Sequence, residues 1–130
     1  MKTIRSIRVG MPTGCTSATI IPSVMARGPF HVLSVTWNIA VSCGDNNPYF
    51  CWILLGTGLT TLQFCQGEDD RTISEWMIGG TANGLAADHY FPFHDHVGGV
   101  YVGSNQILQL LPYFSANVTM LGDVLIRVAQ

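Results

Sequence analysis

The chain has 130 residues, 48% of them hydrophobic, and a net charge of −2. That length suits one domain able to bury a core without a metal or a disulfide. Only 11% of the residues are Asp, Glu, Lys or Arg, and Lys2 is the single lysine. An ordinary soluble domain carries about 25%. With six basic residues scattered along the sequence, strong nucleic-acid binding is not expected.

The first segment, "MKTIRSIRVGMPTG", has no apolar h-region, so no secretory leader is expected. "TIRSIRVGM" (3–11) and "SATIIPSVM" (17–25) read as strands. "HVLSVTWNIAVS" (31–42) alternates, placing Leu33, Val35, Trp37, Ile39 and Val41 on one face and Ser34, Thr36, Asn38, Ala40 and Ser42 on the other. Side chains on a strand alternate between the faces of a sheet, so this run is a half-buried strand. "YFCWILL" (49–55), "LTTLQFCQ" (59–66) and "TISEWMI" (72–78) follow. The stretch "ISEWMIGGTANGLAAD" comes nearest to a helix, but glycines 79, 80 and 84 leave at most one turn near 82–88. "DHYFPFHDHVGG" (88–99) reads as an ordered loop anchored by Tyr90, Phe91 and Phe93. The last strands are "GVYVG" (99–103), "NQILQLLPYFSA" (105–116) and "GDVLIRV" (122–128). Pro112 marks a kink or an edge, because proline cannot donate to a ladder. In the final run Val124, Ile126 and Val128 face inward, and the turns between runs are rich in Gly and Asx. About eight core strands with little or no helix predict an all-β fold: one antiparallel β-sandwich domain over residues 1–130.

The low charge calls for an explanation. The longest apolar run, within 49–59, has about eight residues before glycine intervenes, whereas a membrane-spanning helix needs about 18. No membrane span is expected, and the alternating strands lack the aromatic girdles of a lipid-facing barrel. Burial of the surface against further copies is the better reading. The uncharged outward positions Ser34, Thr36 and Asn38, with the aromatic anchors Tyr90, Phe91 and Phe93, are therefore the expected interface residues of a homo-oligomer.

The C-terminal stretch "ILQLLPYFSANVTMLGDVLIRVAQ" resembles the final strands of small single jelly-roll virion proteins of viruses and tailless bacteriophages. Low charge and abundant Gly, Thr, Ser and Asn fit that company. The resemblance implies a jelly-roll sandwich located in the virion, a capsid, vertex or spike subunit without catalytic activity. Its partners would be itself and other virion structural proteins. Many shell proteins have a basic N-terminal arm; here only Lys2, Arg5 and Arg8 could serve as one. Coat proteins of small RNA phages end in helices, whereas this chain ends in strand pattern.

Three of the four histidines, His89, His94 and His96, fall within eight residues. An H-x-H pair on a strand puts both rings on one face, about 7 Å apart at the backbone, close enough to share a metal. Cupin-type metalloenzymes follow such a pair with a glutamate and add a later histidine. Here the last glutamate is Glu75 and no histidine follows His96, so a third ligand would be His89, Asp88 or Asp95. Structural roles for these histidines are the preferred reading, and no cofactor or catalytic residue is assigned. Cysteines 15, 43, 51 and 65 form no C-x-x-C pair. Cys43 and Cys51 flank a turn and either face each other across a hairpin or are buried thiols. "GEDDRT" (67–72) lacks the spacing of a calcium loop, and Asn117-Val118-Thr119 matches a glycosylation triplet without a leader. No nucleophile elbow, phosphate loop or dinucleotide fingerprint occurs. The main rival to a shell subunit is a lectin-like or receptor-binding spike module that uses Trp52 or Trp76 as a sugar platform. A cupin-like enzyme comes third.

Overall fold

The computed structural model describes residues 3–10, 21–43, 48–60, 71–81, 89–115 and 118–130. Its elements are β1 (Ile4–Gly10), β2 (Ile21–Arg27), β3 (Phe30–Cys43), β4 (Pro48–Thr57), β5 (Thr72–Thr81), β6 (His89–Val102), β7 (Ile107–Phe114) and β8 (Val118–Ala129). They form two four-stranded antiparallel sheets. Sheet A has the order β1-β8-β3-β6 and sheet B the order β2-β7-β4-β5. The described residues contain no helix, hence none long and apolar enough to cross a membrane.

The sheets face each other across one core, as the alternation in the sequence predicts. Val35, Trp37, Ile39 and Val41 of β3 are sealed from solvent with Val124, Ile126 and Val128 of β8. They meet Cys51, Ile53 and Leu55 of β4, Trp76 of β5, and Leu108 and Leu110 of β7. Each such side chain contributes roughly 1.5–3 kcal/mol by leaving water. The run "YFCWILL" is apolar on both faces because sheet B is covered on both sides there. Leu54 and Leu111 point away from the main core and are buried under Leu59, with Trp52 packed alongside. Leu59 and Thr60 lie outside any strand, with Leu59 set over this face of sheet B; residues 61–66 of the strand expected over 59–66 lie outside the described residues. The expected helical turn near 82–88 also lies outside them.

Four local expectations are corrected. Leu33 does not join the inward row of β3. Against β8, Val32 pairs with Val128 and Ser34 with Arg127, so Leu33 is an extra residue in a bulge and only half-buried. The same bulge presses Ser34 to 6% exposure. Residues 89–99 are part of the long strand β6 rather than a loop. Their aromatic and histidine side chains alternate, and the Gly98–Gly99 pair, with φ of 81° and 91°, forms a bulge that only glycine enters readily. Pro112 sits within an interior strand, opposite Ile53. It lies past the last described pairing between β2 and β7, Ile21 with Leu110, so its missing donor breaks no described bond to β2.

Among the described residues a polar chain crosses the core. Trp37 Nε1 donates to Ser74 Oγ at 3.1 Å, and Ser74 Oγ donates to Asp95 Oδ2 at 2.8 Å. Strands β3, β5 and β6 are thereby tied together across the two sheets. Nearby, Trp76 Nε1 of β5 donates to the Phe91 carbonyl of β6 at 3.1 Å. Among the described residues no buried side-chain nitrogen or oxygen lacks a partner, as a stable interior requires.

Candidate functional site

Two surfaces collect the residues that the sequence singles out. The first is the outer face of sheet A. Strand register sets Ser34 beside His96, Thr36 beside His94, Asn38 beside Pro92 and Ala40 beside Tyr90. On the other flank of β3, Asn38 stands opposite Asp123. Tyr90 OH donates to Asn38 Oδ1 at 2.7 Å, and Asn38 Nδ2 donates to Asp123 Oδ1 at 3.1 Å. Asp123 Oδ2 then faces Arg8 Nε at 3.6 Å. One polar row so crosses β6, β3, β8 and β1 in turn. The Arg8–Asp123 pair is exposed and contributes about 0–1 kcal/mol; the amide row supplies the order.

This row accounts for part of what the sequence left open. Thr36, Asn38 and Ala40 are uncharged and half-buried, and their own neighbours supply much of that cover. Ser34, expected at an interface, is buried within its own chain and offers a partner almost no surface. Tyr90, at 57% exposure, and Phe93, at 47%, remain accessible, while Phe91 is half-buried against the core.

The histidines divide. Thr36 Oγ1 and His94 Nδ1 share a hydrogen bond of 2.7 Å. The His94 and His96 rings lie edge to face with centroids 5.1 Å apart and planes at 87°. Asp95, between them in sequence, points to the opposite face and binds Ser74. The two-residue period of a strand separates this acid from the imidazoles, which removes Asp95 as a third ligand. His89 heads β6 opposite Val41; its side chain and Asp88 lie outside the described residues. No group of three His, Cys, Asp or Glu side chains suited to a metal occurs among the described residues. Cys51 is a buried thiol in the core, and the side chain of Cys43 lies outside the described residues.

The second surface is the open side of the molecule, where β5 ends sheet B and β6 ends sheet A. A groove of about 420 Å³ runs between them, lined by Glu75, Trp76, Met77, Ile78, Phe91, Pro92 and Phe93. Trp76 forms its floor at 4% exposure, so the sugar-platform role expected of it is corrected: the indole is a core group. Trp52 is half-buried, and its Nε1 donates to Glu75 Oε2 at 2.9 Å. Met77 stands at the rim, 55% exposed.

The groove and the Ser74 bridge escaped sequence reasoning. The groove needs the pairing of β5 and β6 as opposite edges, which is a tertiary fact. Ser74 did leave a signal: in "TISEWMI" it shares the inward register of Trp76, where a hydroxyl must find a partner. No protein-family model matches the chain, and no curated protein is significantly similar to it in sequence.

Proposed function

We propose that this chain is a non-catalytic structural subunit of jelly-roll type that assembles with further copies into a virion shell, vertex or spike. The strand pairing supports the topology. β1 pairs with β8, β2 with β7, β3 with β6 and β4 with β5. That nested set is what results when one long antiparallel hairpin rolls into two sheets, and jelly rolls are built that way.

The observation that carries assembly is the apolar groove beside the edge strand β5, which bears little charge. An edge strand presents a row of unpaired backbone donors and acceptors, and proteins that stay single blunt it with charge, proline or bulges. β6 has such devices: Pro92, the inward-pointing Asp95 and the Gly98–Gly99 bulge. β5, "TISEWMIGGT", has a single charge, Glu75, no proline, and one bulge at Ile73, between Thr72 and Ser74. An extended segment or an edge from a second copy can add to β5 while its side chains fill the groove. Electron micrographs of the purified chain test this: rings, shells or filaments are expected, and a field of single small particles argues against it.

A second reading, a receptor- or glycan-binding module, draws on the same groove, where aromatic and acidic groups converge. Glycan binding that disappears on Phe93→Ala, in a chain that remains monomeric, would favour it. A cupin-like enzyme has the least support, because His94 and His96 lie on an exposed outer face from which water is not excluded.

A further inference from the structure

We propose that His94 and His96 form a two-imidazole site for a borderline divalent transition ion, Ni²⁺, Cu²⁺ or Zn²⁺, on the outer face of sheet A. The inference does not depend on the assembly reading.

The spacing of the rings suits one ion. Two imidazoles bound in neighbouring positions of one ion, each by a bond of about 2.0–2.1 Å, have ring centres roughly 4.5–5 Å apart, from the right angle of Ni²⁺ or Cu²⁺ to the tetrahedral angle of Zn²⁺. The His94 and His96 centroids are separated by 5.1 Å. Both residues are exposed, so an ion reaches them without opening the fold. They project from a strand that pairs with β3 along nearly its whole length, and the intervening Asp95 is tethered inward by Ser74. A site on such a braced element holds its ligands better than one on a loop.

Thr36 supplies the outer support that metal-bound histidines usually have. With the His94 proton on Nδ1 and donated to Thr36 Oγ1, 2.7 Å away, the Nε2 lone pair is free for the ion. Thr36 is thus a positioning residue and His94 and His96 are the ligands. Arg127, the nearest cation in this part of the sheet by register, stands opposite Ser34 from β8. That is two strands from β6, about 10 Å, where salt screens most of its repulsion.

Among the described residues two ligands stand together and no third joins them. Water completes the shell, so binding is weaker than at a closed structural site. Imidazole ligation sets the preference: Cu²⁺ binds more tightly than Ni²⁺, and Mg²⁺, which demands oxygen ligands, does not compete.

Calorimetric titration of the full, tag-free chain with NiCl₂ tests the proposal. The native protein is expected to bind one ion per chain. The exposed double variant His94→Gln/His96→Gln, shown to be folded by circular dichroism, is expected to lose at least about ten-fold in affinity. Thr36→Val is expected to lose about ten-fold with both ligands intact. His31→Gln, which alters a histidine packed at a tilt against Tyr101 instead, is expected to bind as the native chain does. No Ni²⁺ binding up to millimolar concentration, or equal affinity in the double variant, overturns the site. Unchanged affinity in Thr36→Val overturns the positioning role.

Discussion

Trp37 and Ser74 show what single residues do in this fold. Trp37 is wholly buried, and its one polar atom reaches across the core to a hydroxyl on the other sheet. Trp37→Ala removes both packing and that link, and is expected to cost about 3–5 kcal/mol in urea denaturation. In a domain whose whole stability is about 5–15 kcal/mol, that approaches loss of folding. Ser74→Ala keeps the packing but strands the indole N–H and one carboxylate bond, and about 1–3 kcal/mol is expected by the same measurement. Gly122 has φ of 120°, and a Cβ there would run into the backbone carbonyl of Asn38. Gly122→Ala is expected to lower the melting temperature, with a cost on the order of 1–3 kcal/mol. The place of Trp37 was legible from alternation alone. The partner of Ser74 was not, because a period of two fixes which face a residue occupies and not what stands across the core.

The elements show where sequence pattern succeeds and where it slips. β3 and β8 are legible because each carries a clean alternation buried on one side. The slip at Leu33 has a local cause: a bulge inserts one residue without changing composition, so the pattern from 31 to 35 looks continuous. β6 was hidden differently. Pro92, three histidines and a Gly-Gly pair belong to the vocabulary of loops, and its position at a sheet edge is what tolerates them. The bulge in β3 changes what its substitutions do. Ser34→Lys places a charge at a buried position and is expected to reduce folding itself, seen as lost soluble yield or a lowered melting temperature. Thr36→Glu, one ladder position away and half-buried on the outer face, is expected to fold normally. Equal damage from both would show that the two positions share one environment.

At the scale of the molecule, low charge and the open side of the sandwich belong together. Of the eight exposed large apolar side chains among the described residues, five lie on β5 and β6: Met77 on β5, and Tyr90, Phe93, Val100 and Tyr101 on β6; Ile4, Tyr113 and Leu121 lie elsewhere. A surface of this kind is costly to leave in water and suits a contact of about 800 Å² or more per partner. The all-β class and one half of the core could be read from the sequence, whereas the groove depends on which strands become edges. Light scattering coupled to size exclusion, at micromolar concentration, tests self-assembly most directly. The native chain is expected to elute as a defined species several times the mass of one subunit, and Met77→Lys/Phe93→Lys, which charges the rim of the groove without touching the core, as a folded monomer. A native chain that runs as a stable single subunit, or a charged variant that assembles unchanged, would contradict the account.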